Sequence, residues 1–309
     1  MRAAVLTALN TPPVVREFDE PQAKPGAQKI TVSAGGGSPS ELMRAAGVYG
    51  AFSPPCIVGG EGVGHLDDGS RVYFGHSLAA YGSWAESTIV PDAEVWPIPD
   101  DVSDGHAIAL GISGTGALIP LEEANIQRGE CVLVLGATGP VGQIALQVAR
   151  RMGAALIVAA ARNLPALERL RSRGLADEIV QLGAGNDPQA LMAAAGKGYN
   201  VVLDAIYGPP AEAALRATAP GARMMSIGVQ AGPVMSVSLR DLVSRTHVGV
   251  GTGMRPAAER RAVFERLIDL ARDGRIEVDV VRFTLDDAVA AWDAQRSGPH
   301  GKIIVTPGR

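Results

Sequence analysis

The chain has 309 residues, room for two domains with separate cores, and its 28 Lys and Arg against 32 Asp and Glu leave a net charge of −4. A pI near 5.8 and the lack of any basic run argue against nucleic acid as a partner. The longest aliphatic stretch, 154–161, is far shorter than a bilayer span, and the N-terminal V-L-T-A-L is too short for a signal peptide, so a soluble cytoplasmic protein with no membrane partner is expected.

In chain order, the first hundred residues are dense in Gly and Pro and hold short apolar runs at 3–6, 29–32, 71–74 and 87–90. Short strands separated by turn residues predict a β-rich, barrel-like domain. From Gly129 the texture changes. Cys131 to Leu135 reads as a buried strand, Val141 to Met152 as a helix, Leu156 to Ala160 as a second strand and Leu164 to Ser172 as a second helix. Further strands are expected at Ile179–Gln181, Asn200–Leu203, Arg223–Ile227 and His247–Val250. Strands alternating with helices at this spacing predict a parallel, doubly wound sheet. After Gly253 come a helix from Ala257 to Arg272, a strand near Val278–Phe283, a short helix at Leu285–Gln295 and a strand near Ile303–Val305. This tail is expected to return to the first domain, giving a β-rich domain over 1–111 and 253–309 interrupted by a dinucleotide-binding domain over 112–252. Cys56 and Cys131 are too far apart in sequence to suggest a metal cluster and read as small buried hydrophobes.

The turn Ala137-Thr138-Gly139-Pro140-Val141-Gly142, one place after Gly136, follows a predicted strand and opens a predicted helix. In such a turn Gly139 lets backbone approach a pyrophosphate, Gly142 lets the helix pack close, and Pro140 suits the first helical position. The end of the next strand selects the nucleotide. An Asp or Glu there binds the ribose hydroxyls of NAD, whereas here Ala159-Ala160-Ala161 leads into Arg162-Asn163, with no acid before Glu168. NADPH is therefore the expected cofactor, with Arg162 as 2′-phosphate clamp and Asn163 as a neutral donor.

The chain resembles the zinc-free quinone oxidoreductase and enoyl reductase branch of the medium-chain dehydrogenase/reductase superfamily. The resemblance rests on M-R-A-A-V at the start, G-G-G-S-P-S-E-L-M-R-A-A-G-V-Y (35–49), P-P-C-I-V-G-G-E-G-V-G (54–64) and Y-G-S-W-A-E-S-T-I-V-P (81–91). It continues in G-A-T-G-P-V-G, N-V-V-L-D-A (200–205), P-G-A-R-M-M-S-I-G (220–228) and G-P-H-G-K-I-I-V (298–305). It implies an α/β protein with a GroES-like β-rich catalytic domain and a Rossmann doubly wound parallel-sheet domain.

The positions where zinc-dependent relatives carry ligands match Ser38, Gly60 and Gly111, so no metal is expected. Glu61 and His65 share a strand face, but two candidate ligands are too few. Hydride transfer to an acceptor that is already electrophilic, a quinone or the C=C of an α,β-unsaturated carbonyl compound, is the chemistry the resemblance then implies. It places Tyr49 where relatives carry a cleft tyrosine, either a proton donor or a packing and water-anchoring group. Ser38 stands in place of a common asparagine, so asparagine recognition of a quinone carbonyl does not carry over, and the hairpin between Gly64 and Arg71 is shortened. Thr115, Ser226 to Gly228, and Gly251-Thr252 fall where relatives line the nicotinamide. A homodimer is implied as well, with H-V-G-V-G-T (247–252) as a candidate edge. The competing class is a non-catalytic NADPH-binding protein of crystallin-like, structural kind.

Overall fold

The computed structural model describes residues 1–308 apart from Tyr49 and Ala51. The expectation for Tyr49 therefore lies outside the described residues. Two compact units are present, one made of Met1–Ile112, Ala257–Gly274 and Val278–Arg309, the other of Ser113–Pro256 and Arg275–Glu277.

The first unit begins with strands β1 (Arg2–Leu6), β2 (Val14–Glu17), β3 (Ala27–Gly36), β4 (Cys56–Ile57), β5 (Glu61–His65), β6 (Arg71–Gly75), β7 (Ser87–Pro91) and β8 (Val95–Pro97). Two short helices interrupt and follow them, α1 (Pro39–Ala45) and α2 (Asp104–Ile108). Ser38 precedes α1 in extended conformation and Pro39 opens it, a position where the missing N–H costs nothing. Strand β3 runs for ten residues, much longer than the K-I-T-V run alone suggests, because its glycine-rich end stays extended against β5 and the C-terminal strand.

The second unit holds α3 (Gly114–Glu123), then β9 (Cys131–Leu135), α4 (Pro140–Arg151), β10 (Leu156–Ala161), α5 (Leu164–Ser172), β11 (Glu178–Gln181) and α6 (Asp187–Ala194). It continues with β12 (Tyr199–Asp204), α7 (Gly208–Arg216), β13 (Thr218–Ser226), the single turn α8 (Leu239–Leu242) and β14 (Thr246–Gly249). The strands form one parallel sheet in the order β11-β10-β9-β12-β13-β14. Val132, Leu133, Val134 and Leu135 are all fully buried, as an unbroken apolar run requires when both sheet faces are covered. Helices α6 and α7 carry little signal in the sequence. The first is Ala-rich without a clear apolar stripe, and the second opens with Gly208-Pro209-Pro210, which reads as a turn.

The chain then returns to the first unit through α9 (Ala257–Arg272), β15 (Val280–Thr284), α10 (Ala288–Ser297) and β16 (Lys302–Thr306), with a 3-10 turn at Leu285–Asp287 before α10. Strand β16 sits between β15 and β3 in the sheet β15-β16-β3-β5-β6-β8. Burial drives the return. Trp84 and Trp292 meet edge to face at 6.1 Å in a core that also holds Ala4, Leu6, Ile303 and Val305. Phe264 of α9 stacks on Tyr73 at 4.7 Å, and Arg260 forks onto Glu94.

Candidate active site

The nucleotide end of the second unit is built by glycine. The order β10-β9-β12 puts the topological switch point between β9 and β12, where ligands of doubly wound sheets bind beyond the strand ends. Gly136 leaves β9 at φ 80, a conformation that costs an L side chain. A Cβ on Gly136 would press Ile206 at 3.0 Å, so the segment after β12 closes directly over this turn. Gly142 allows α4 to lie against the turn, since any side chain there would collide with the backbone of Ala137. Gly139 caps α4, where an added Cβ would meet nothing nearer than Gly136 O at 3.6 Å, and Pro140 opens the helix. An open glycine at the N-terminus of a twelve-residue helix suits a phosphate.

The other expected residues have varied surroundings. Ala137 and Thr138 are buried, and the Thr138 carbonyl accepts a hydrogen bond from Gln143 at 3.0 Å. A Cβ on Gly116, next to buried Thr115, would stand 3.6 Å from Val141 and 3.9 Å from Ile227, so α3, α4 and the segment after β13 approach one another here. A side chain on Gly228 would collide with the carbonyl of Ala205. Gly251 packs under Met254, and Thr252 begins a 3-10 turn. Arg162 is exposed at the end of β10, with no carboxylate paired to it among the described residues. Asn163 Oδ1 accepts from the Ala166 N–H at 2.9 Å and caps α5.

Sequence reasoning missed a polar chain across three strands. Asp204 is fully buried at the end of β12, and its Oδ1 accepts from the N–H groups of Ile206 (3.0 Å) and Tyr207 (2.8 Å). Ser226 Oγ donates to Asp204 Oδ2 at 2.7 Å and lies 3.0 Å from His247 Nε2. With its proton committed to Asp204, the Ser226 oxygen accepts from His247, which places an imidazole proton on Nε2. Burial raises the Asp204 carboxyl against these hydrogen bonds, and burial lowers His247 against the pull of Asp204. Tyr207 stacks on His247 at 6.0 Å and holds φ 58, ψ −161, a strained backbone for a bulky residue. No sequence spacing signals this chain, because parallel register alone brings residues from β12, β13 and β14 together.

The first unit carries a second polar centre around Glu61. Glu61 and Lys302 are both buried and form an ion pair through Oε1 and Nζ. Glu61 Oε2 accepts from Tyr73 Oη (2.7 Å) and from the Ile112 N–H (2.8 Å), so both oxygens are satisfied. Burial, with Glu61 beside it, holds the Tyr73 phenol well above its ordinary value. His65 does not join Glu61. It is exposed at the end of β5, with Nδ1 3.2 Å from Ser33 Oγ.

At the three positions matched to metal ligands, Ser38 Oγ pairs with Ser40 Oγ at 2.7 Å, and a side chain on Gly111 would collide with the Tyr73 ring. A Cβ on Gly60 would stand 3.1 Å from Glu41 Oε1. Among the described residues no three His, Cys, Asp or Glu side chains gather as a metal site. Cys56 is buried and Cys131 only half-buried, and burial raises both thiols, Cys131 to about 11.

A family model described as a zinc-binding dehydrogenase matches residues 140–272. Quinone oxidoreductase-like protein 2 of Bos taurus is 28% identical over 99% of this chain and 92% of its own length. The quinone oxidoreductase of Thermus thermophilus, whose structure was solved alone and with NADPH, superposes with a TM-score of 0.83 at 28% identity, covering 99% of this chain and 100% of that one. The chain is thus similar to the quinone oxidoreductase branch of the medium-chain dehydrogenase/reductase superfamily. The zinc-binding description says nothing about Ser38, Gly60 and Gly111, because the matched residues include none of them. A phenolphthiocerol/phthiocerol polyketide synthase of Mycobacterium tuberculosis is also similar, 29% identical over 99% of this chain. The chain spans 15% of that relative's length.

Proposed function

We propose that the protein is an NADPH-dependent, metal-free reductase that transfers hydride to a quinone or to the C=C of an α,β-unsaturated carbonyl compound. One observation carries the cofactor choice: Arg162, directly after β10, is exposed and without a carboxylate partner among the described residues, and the glycine turn after the neighbouring strand β9 is open at Gly139. The 2′-phosphate is held by Arg162, the pyrophosphate by the N-terminus of α4, and the nicotinamide by Thr115, Ser226, Gly228, Gly251 and Thr252. When bound, NADPH supplies the hydride.

The donor set at Ser38, Gly60 and Gly111 offers no Lewis acid, which favours acceptors polarised by their own carbonyl. Ser38 orients that carbonyl, and Tyr49 serves either as a proton donor or as a packing and water-anchoring group. One relative is named for quinone oxidoreduction and another for polyketide synthesis, which supports testing both acceptor types. Loss of NADPH absorbance with a panel of quinones and enones checks the reading. Turnover on one arm names the acceptor class, and tight NADPH binding with no turnover on either arm returns the protein to the non-catalytic class.

A homodimer joined along β14 completes the proposal. This strand is one edge of the sheet, Val248 is exposed on it, and Val234, Leu239, Val243 and Met254 are exposed in the segments that flank it in sequence.

A further inference from the structure

The Asp204–Ser226–His247 chain lies wholly within the second unit, at the sheet end that carries the glycine turn. Parallel register sets Asp204 beside Leu135, the last residue of β9, so the carboxylate is level with the start of that turn at Gly136. Beyond β12 the backbone passes through Ile206 and Tyr207, a turn held from two sides. Both N–H groups donate to Asp204 Oδ1, and the Ile206 carbonyl accepts from the Ala231 N–H at 2.7 Å. Tyr207 adopts φ 58, ψ −161, a region occupied almost only by glycine, where another residue persists only if its surroundings enforce it. Ile206 Cγ2 in turn lies 3.0 Å from where a Cβ on Gly136 would stand. The carboxylate that enforces this turn is costly to bury, since the donors on it, two N–H groups and the Ser226 hydroxyl, are all uncharged. A buried acid and a strained backbone thus meet at one turn, and that turn lies against the glycine turn.

We propose that Asp204 is a positioning residue for the dinucleotide: its carboxylate fixes the strained Ile206–Tyr207 turn over Gly136 before a nucleotide arrives, and so holds the glycine turn in the form that receives the pyrophosphate. This rests on the NADPH reading of the glycine turn. Ser226 and His247 complete the support. The Ser226 hydroxyl occupies Oδ2, which leaves Oδ1 to the two N–H groups, and the His247 ring backs the Tyr207 side chain by stacking on it.

This role is separate from that of Arg162. An arginine that meets the 2′-phosphate sets the choice between the phosphorylated nucleotide and the unphosphorylated one. The glycine turn meets the pyrophosphate, which both nucleotides share. Asp204 therefore sets the affinity for either nucleotide and leaves the preference between them unchanged.

The test combines amide hydrogen exchange of the protein without nucleotide with calorimetric titration of wild type, Asp204→Ala and Asp204→Asn against NADPH and NADH, each below its unfolding midpoint. In wild type the Ile206 and Tyr207 amides should exchange about a hundredfold slower than those of an open loop, because the carboxylate accepts both. Asp204→Ala should release both amides and weaken NADPH and NADH by the same factor, about thirtyfold, as Kd rises in inverse proportion to the fraction of molecules with the turn in place. Asp204→Asn keeps an oxygen for the two N–H groups, though a neutral one, and should return affinity to within about fivefold of wild type. Free exchange of both amides in wild type overturns the proposal, whether or not Asp204→Ala folds. A folded Asp204→Ala with wild-type affinity also overturns it and leaves Asp204 a structural group alone, as does a loss confined to one nucleotide. A wild type with both amides protected that binds neither nucleotide means the NADPH reading has failed, and the positioning role with it.

Discussion

Arg162 and Lys302 show how differently one positive charge is used at the surface and in the interior. Arg162 costs little to place, since it stays in water and awaits an anion. Substituting Arg162→Glu should weaken NADPH binding about tenfold to a hundredfold, the worth of one or two charge-assisted hydrogen bonds, and shift preference toward NADH. Fluorescence titration with both nucleotides measures it, and an unchanged preference would remove Arg162 as the clamp. Lys302 is opposite in kind. It is buried against Glu61, so Lys302→Met leaves a carboxylate without its counter-charge and should destabilise the fold by about 3–5 kcal/mol. Adding Glu61→Gln to that variant should recover much of the loss in urea unfolding. A double variant no more stable than the single one would mean that the network matters for packing alone.

Among elements, α4 and β12 carry the nucleotide end. The approach of α4 to its turn depends on Gly142, and Gly142→Val should cost about 1–3 kcal/mol and weaken NADPH binding together, because the helix must move off Ala137. Thermal unfolding with and without NADPH separates the two effects. The sequence signal for this element is strong, since strand, glycine turn and helix each have a local cause, and α4 runs Pro140–Arg151 against an expected Val141–Met152. The Asp204–Ser226–His247 chain has no such signal. Its members lie on separate strands, 22 and 21 residues apart, and only the register of β12, β13 and β14 makes them neighbours. Asn163 shows a local role the sequence reading did not name, since its Oδ1 starts α5.

For the whole molecule, the first unit is held closed by contacts between distant parts of the chain. Arg260 of α9 forks onto Glu94, and His76 lies 3.4 Å from the same carboxylate. Burial alone would raise Glu94, but hydrogen bonds from His76 and Arg260 outweigh it and bring the carboxyl to about 2. A depressed carboxyl stabilises the fold above its ordinary value near 4.5, and that contribution is lost as pH falls toward about 2. Arg260→Ala should therefore lower stability at neutral pH by about 2 kcal/mol and flatten its decline between pH 4.5 and 2, as followed by circular dichroism. A slope equal to that of wild type would rule out this pair as its source. The proposed dimer is checked at the same scale: Val248→Lys on the edge strand should yield monomers by sedimentation, and an unchanged dimer would place the interface elsewhere.

By itself the amino-acid sequence determined the alternating strands and helices from Cys131, the glycine turn, the charge at Arg162 and the missing ligands at Ser38, Gly60 and Gly111. These are properties of local spacing or of single residue types, and they need no knowledge of what lies opposite. Tertiary structure alone decided that Lys302 neutralises Glu61 across 241 residues, that Tyr73 fills the space beside Gly111, and that Glu41 is buried with neither oxygen bonded among the described residues. Whether a carboxyl is charged, paired or stranded depends on which groups the fold brings within a few ångströms of it and how much water it leaves there, and no one-dimensional pattern records either.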